Sequence, residues 1–373
     1  MLGYYKMSLI GTQHQKKEDG VCQDYSDVIE LENGWIVAAI ADGLGSAKKS
    51  DLGSSTAVKT VLSFIAENRP DKWHEESLKS LLLTAFHKAI NTIRLISKEN
   101  QDDLRDYDTT LTALVYNGTN LVFGHVGDGG IISLSSYGEF SVLTHAQKGE
   151  AFNETTPLRA GPDNWEFGVS IDDVCAITMM TDGIFDIAYP WILADQEQKI
   201  YINYVRPFMD RNILKVSTPA DFENAQSEIQ DFFSGPYSKQ ITDDKTIIGI
   251  INTSIVPEIR PDNYYVEPDW DALANEHHNK LYGHSSTDEK DDSQKVAEEQ
   301  DLNVNPKEEK QNEVNKVTTS QASSTPLPTN SAESNKDTIP QESAVDPSTT
   351  EGKKKQSFHE RSRALFHSLF KKS

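Results

Sequence analysis

At 373 residues with 36% hydrophobic side chains, the chain can hold one large domain, yet some stretch of it must contribute little to any core. A net charge of −22 suits cation binding and excludes nucleic acid as a partner, because grip on a phosphate backbone needs clustered Lys and Arg. Cys22 and Cys175, without CxxC spacing, exclude a zinc cage and a disulfide framework and point to a reducing, cytoplasmic setting.

The first residues, MLGYYKMSLIGTQHQ, lack a continuous apolar segment and a small-residue cleavage site. No apolar run approaches about 18 residues, the length of a membrane span. Strand-like runs rich in β-branched or aromatic residues follow at Trp35–Ala41, Thr109–Tyr116, Asn120–Val126, Gly129–Ser135, Phe140–Leu143, Val174–Thr181 and Thr246–Asn252. The turn Asn117-Gly118-Thr119-Asn120 joins two of them as a hairpin. Between the early and middle strands, two helices are expected. Asp51–Ala66 carries Leu52, Val58, Val61, Leu62 and Ile65 at helical spacing, and Glu75–Ser97 carries Leu78, Leu81, Leu82, Ala85, Ala89 and Ile93. A third helical region, from Ile184 to Phe233, is expected to break at Pro190, Pro207 and Pro219. Strand clusters separated by helices predict an α+β sandwich rather than a doubly wound parallel sheet.

This apolar-rich part ends near residue 255. Residues 256–352 are acidic and rich in Ser, Thr and Pro, a composition that cannot offset its ordering entropy and predicts a disordered linker. Residues 353–373 change again. Phe358, Leu365, Phe366, Leu369 and Phe370 share one helical face beside Lys353, Lys354, Lys355, Arg361, Arg363, Lys371 and Lys372, a basic amphipathic helix suited to an anionic membrane surface or a partner protein.

Four aspartate motifs punctuate the first 255 residues: Gln23-Asp24, Asp42-Gly43-Leu44-Gly45, Asp182-Gly183-Ile184-Phe185-Asp186 and Asp243-Asp244-Lys245-Thr246. Singly, Asp-Gly is a common turn. Here Asp42 and Asp182 end buried-strand patterns and Asp243 precedes one, so rigid elements can aim several carboxylates at one place. Hard divalent ions take such oxygen ligands, and Gly43 lets a main-chain carbonyl approach as well.

The set resembles the type 2C, or metal-dependent, serine/threonine protein phosphatases, in a bacterial-like subgroup. An early acidic motif, DGxG, a Thr109-Thr110-Leu111 stretch with Gly127-Asp128-Gly129, DGxxD and a late acidic pair occur in the family's order. The resemblance implies an αββα sandwich of two antiparallel sheets flanked by helices. It also implies hydrolysis of phosphoserine and phosphothreonine in proteins by a hydroxide bridging two Mn²⁺ or Mg²⁺ ions. By the same resemblance Asp42 bridges the ions, Gly43 adds its carbonyl, and Asp24, Asp182 and Asp243 complete the set, with Asp244 ranked below Asp243. Asp128 and Asp186, with Asp182, match positions that hold a weaker third ion. Phosphoprotein substrates and a cognate Ser/Thr kinase are the partners implied.

Two departures stand out. Leu44 replaces the His that many members carry in DGxG, which leaves a metal-bound water or another group, with His14 a candidate, to protonate the leaving alkoxide. No Arg marks the first motif, which leaves His14, Lys16 or Lys17 as the cation or donor for phosphate. The alternatives are a pseudophosphatase binding module and a metal-dependent hydrolase of small phosphate esters. Neither cysteine is followed by a CxxxxxR phosphate loop, so both are expected to be structural.

Overall fold

The computed structural model describes residues 1–16, 20–148, 155–171, 173–235, 238 and 241–282. The Lys17 position and the amphipathic segment 353–373 lie outside them.

Strand β1 (Leu2–Leu9), with β10 (Lys245–Asn252), β9 (Val174–Met180), β6 (Gly130–Ser135) and β7 (Phe140–Val142), forms one five-stranded sheet in the order β1-β10-β9-β6-β7. The second sheet orders β2 (Tyr25–Glu30), β3 (Ile36–Ala41), β4 (Leu111–Tyr116), β5 (Leu121–Val126) and β8 (Glu166–Ser170) consecutively. Every pairing is antiparallel. Alternate side chains explain the layering. Ile36, Ala38 and Ile40 of β3 meet Ile177, Met179, Ile248 and Ile250 between the sheets, while Val37, Ala39 and Ala41 face α1 (Ser50–Asn68) and α2 (Glu75–Glu99). The opposite outer face is covered by α3 (Asp182–Ala188), α4 (Ile202–Met209), α5 (Arg211–Leu214) and α6 (Pro219–Ser234). The predicted αββα sandwich is the observed fold, and the Asn117–Asn120 hairpin links β4 to β5.

Several local expectations need correction. β1, β2 and β8 lack a sequence signal because all three are edge strands, which need only one apolar stripe and carry polar residues such as Lys6, Asp27 and Glu166. Leu52 points to solvent. The buried face of α1 begins instead with Ser50, Gly53 and Ser54, since that end packs on backbone rather than side chains: a Cβ at Gly53 would lie 2.2 Å from the Tyr107 carbonyl oxygen. Pro207 sits inside α4, where it removes one hydrogen bond two residues before the helix ends, and Pro219 starts α6 behind a Thr218–Asp221 capping box.

The linker does not begin at residue 256. Residues 262–282 form a short turn (Asp262–Tyr265) and α7 (Trp270–Tyr282), and Tyr264, Tyr265, Trp270 and Leu273 pack on the helix-covered face of the first sheet. Phe140 N donates to Tyr264 Oη (2.9 Å), Tyr201 Oη donates to Glu267 Oε1 (2.6 Å), and the Arg206 guanidinium lies 4.2 Å from the Tyr265 ring centre. A few aromatic anchors therefore hold a segment whose average composition reads as unfolded. Among the described residues no helix is long and apolar enough to cross a membrane.

Candidate metal centre

Strand pairing brings the acidic motifs to one end of the sandwich. Tyr25 at the start of β2 pairs with Ala41 at the end of β3, Leu111 pairs with Val126, and Met180 at the end of β9 faces both Gly130 and Ile247. Asp24, Asp42, Asp128, Asp182 and Asp243 each lie just beyond one of these paired ends.

Asp42 is fixed through its backbone. Its N–H donates to Thr110 Oγ1 (2.9 Å), and its carbonyl accepts from Thr110 N and Thr109 Oγ1 (both 2.8 Å). Gly43 is wedged between the Gln23 and Ser50 carbonyl oxygens, each 2.7 Å from where a Cβ would sit. Asp24 accepts from Thr181 Oγ1 through Oδ2 (2.8 Å), and its Oδ1 is buried without a partner. Asp128 Oδ1 is likewise buried and unpartnered.

One carboxylate oxygen from each of Asp42, Asp128 and Asp182 lies within 4.8 Å of the others, and a second trio of His14, Asp243 and Asp244 is equally tight. The charges resist this crowding. Desolvation and then the charges of Asp24, Asp182, Asp128 and Asp243 raise Asp42 well above the usual carboxylate range. Asp182 rises for the same reasons, with Asp128 its strongest neighbour. Asp24 is pushed up to about 7 by burial and by Asp244. Orphaned carboxylate oxygens that repel one another in a partly closed site are a donor set suited to hard divalent cations, which would stabilise the charged forms.

Asp244 holds the frame together. Its two oxygens accept N–H bonds from Gly11 and Gln23, both 2.6 Å. His14 Nδ1 stands 3.0 Å from Asp244 Oδ1 without hydrogen-bond alignment. Asp186 receives two contacts of 2.7 Å from Lys148 Nζ, a partner with no signal in the local sequence. His125, also unremarked in the sequence, is fully buried and pulled down to about 4 by burial. Its neutral ring bridges Thr112 Oγ1 (2.8 Å) and the Gly127 carbonyl (3.1 Å), steadying the turn that carries Asp128. Burial and the nearby Asp24 raise the Cys22 thiol, and burial pushes Cys175 up to about 12, so neither offers a thiolate. Leu44 N–H donates to the Asp108 carbonyl, and no titratable side chain stands at that position of DGxG.

Gly183 is as confined as Gly43, since a Cβ there would sit 2.1 Å from the Asp244 carbonyl oxygen. Gly183→Ala is expected to cost about 2–4 kcal/mol of stability, read as a lower urea midpoint at unchanged slope.

The protein phosphatase 2C family model matches residues 10–231, more than half of the chain. The chain belongs to this family. The match ends before Asp243, which the sheet pairing of β10 nevertheless brings to the acidic end of the family's fold. No curated protein matches the sequence. Solved structures similar to the chain include a serine/threonine phosphatase of S. agalactiae (17% identity, 67% of this chain and 99% of that one, TM-score 0.48). Others are the phosphatase Stp1 from Staphylococcus aureus (12%, 67% and 95%, 0.48) and the catalytic domain of PstP in complex with two manganese ions (16%, 67% and 97%, 0.44).

Proposed function

We propose that this protein phosphatase 2C member hydrolyses phosphoserine and phosphothreonine in proteins with Mn²⁺ or Mg²⁺ held by Asp24, Asp42, the Gly43 carbonyl, Asp182 and Asp243. The observation that carries this reading is the crowding of Asp42, Asp128 and Asp182 within 4.8 Å of one another, with the charges of Asp24 and Asp243 also reaching Asp42 and with one buried oxygen on each of Asp24 and Asp128 lacking a hydrogen-bond partner. When bound, the ions supply charge against the phosphoryl oxygens and draw a nucleophile from solvent at neutral pH. The chain's own part is placement. Thr109 and Thr110 lock the Asp42 backbone, Thr181 orients Asp24, and Asp244 fixes the two loops that carry Asp24 and His14.

His14 lies beside Asp243 and Asp244, its Nδ1 3.0 Å from Asp244 Oδ1; on this reading it gives a proton to the departing serine or threonine oxygen, the task that Leu44 cannot perform. A p-nitrophenolate leaving group needs no such proton. His14→Ala should therefore lower kcat for a phosphothreonine peptide about 10²-fold and leave p-nitrophenyl phosphate turnover within a few-fold. Equal losses on both substrates would remove His14 from this role.

Phosphoproteins made by a cognate Ser/Thr kinase are the substrates this reading implies. The thiols of Cys22 and Cys175, free and protonated, support action in a reducing compartment. The decisive assay compares a phosphopeptide, p-nitrophenyl phosphate and nucleotides, each with Mn²⁺, with Mg²⁺ and with a chelator. Mn²⁺-dependent release of phosphate from the peptide is expected. Ion uptake without turnover would make the chain a binding module, and a preference for nucleotides would make it a hydrolase of small esters.

A further inference from the structure

Lys148 follows β7 in the chain, and its ammonium lies 2.7 Å from both carboxylate oxygens of Asp186. Asp186 stands four residues after Asp182 on α3, so the two carboxylates face the same side of the helix. The Lys148 charge also reaches Asp128, whose Oδ1 is buried and unpartnered. As an isolated pair, Lys148 and Asp186 would matter little, because both side chains are more than a third exposed or close to it (35% and 43%) and solvent screens them. Position gives the pair its meaning: Asp128, Asp182 and Asp186 repel one another, and an ammonium set on the outermost of them relieves part of that repulsion.

An ammonium that uses both oxygens of Asp186 and a divalent cation that needs one of them exclude each other. We propose that Lys148 is a tethered cation that competes with a third divalent ion for Asp186, so that filling the site at Asp128, Asp182 and Asp186 requires release of Lys148. The inference rests on the acidic cluster being a divalent metal centre and adds a regulatory element to it. By linkage, the coupling runs both ways: removing the ammonium tightens the weakest ion, and raising ion concentration frees the ammonium. Lys148 is a positioning residue in this scheme, not one that touches the reacting atoms.

The test is equilibrium dialysis of the full chain against Mn²⁺, with free ion read by electron paramagnetic resonance. Lys148→Met is expected to tighten the weakest Mn²⁺ site about tenfold, within the usual range of such couplings. Lys148→Arg should behave as the native chain, and adding Asp186→Asn to Lys148→Met should abolish the gain. Superimposable isotherms for the native chain and Lys148→Met overturn the inference while leaving the two-ion reading intact. Absence of any Mn²⁺ uptake by the native chain overturns the metal-centre reading and this inference with it. A second measurement needs no variant: acetylation of Lys148 in the native chain, followed by mass spectrometry, should rise as Mn²⁺ passes the concentration that fills the tighter sites. Constant acetylation across that range also overturns the proposal.

Discussion

Asp42→Asn is expected to abolish Mn²⁺-dependent phosphatase activity, a loss on the order of 10³-fold or more in kcat/KM, while making the metal-free protein more stable. The two effects have one origin. Asp42 is held by Thr109 and Thr110 at the point where the charges of Asp24, Asp182, Asp128 and Asp243 all raise its proton affinity. Asparagine keeps the shape and removes one of the mutually repelling charges. A relief of about 1–2 kcal/mol is expected, equivalent to about 3–6 °C in melting temperature for a domain of this size. Thermal melts in chelator and in saturating Mn²⁺ separate the effects: the native chain should gain far more from Mn²⁺ than the variant. A variant that melts lower than the native chain in chelator, or that keeps its turnover, would show that Asp42 is not an ion ligand in a repulsive cluster.

The second large effect is on pH dependence without metal. Asp24 titrates at about 7 in the folded protein against an ordinary value of 3.8, and Asp42 and Asp182 shift in the same direction. Between those two pH values the native state keeps a proton that the unfolded chain has released. Stability must then fall as pH rises from near 4 through about 7, the reverse of a carboxylate in a salt bridge. In chelator the melting temperature should decline from pH 5 to pH 8. In saturating Mn²⁺ the decline should flatten or reverse, because the ions bind the deprotonated carboxylates and bind them more tightly as protons leave. Asp24→Asn is the control and should flatten the chelator profile. A chelator profile that rises over this interval would remove the electrostatic account of the site.

The central strands were readable because burial on both faces leaves continuous apolar runs such as IVAAIA and VCAITMM, and helices α1 and α2 because their apolar stripes keep helical spacing. Edge strands β1, β2 and β8 were not, since one apolar stripe diluted by Lys6, Asp27 or Glu166 resembles a loop, whereas the edge strand β7 kept a readable run at Phe140–Leu143. Asp24, Asp42, Asp182 and Asp243 were legible as a group from motif order, and their convergence follows from antiparallel registers that place strand starts beside strand ends. What joins them was not legible. Asp244 binds Gly11 and Gln23 across more than two hundred residues of chain, and Lys148 reaches Asp186 across 38. No local pattern encodes a pairing at such separations. Residues 262–282 escaped for a different reason: Tyr264, Tyr265 and Trp270 supply the packing, and three rings disappear in an average over a polar tail.

The pairing of β1 with β10 dictates an order of events during synthesis. Leu2–Leu9 leaves the ribosome well before its hydrogen-bonding partner, Lys245–Asn252, which emerges some 240 residues later. Until then the strand that leads to Gly11 and His14 has no sheet to join, and Asp244 has not arrived to fasten Gly11 to Gln23. A nascent chain can assemble α1 and α2 on the β2–β5 sheet early, whereas the catalytic end closes as a late, long-range step. Phosphatase activity thus arises only after nearly the whole globular part has been translated, and a truncated product should remain chemically silent.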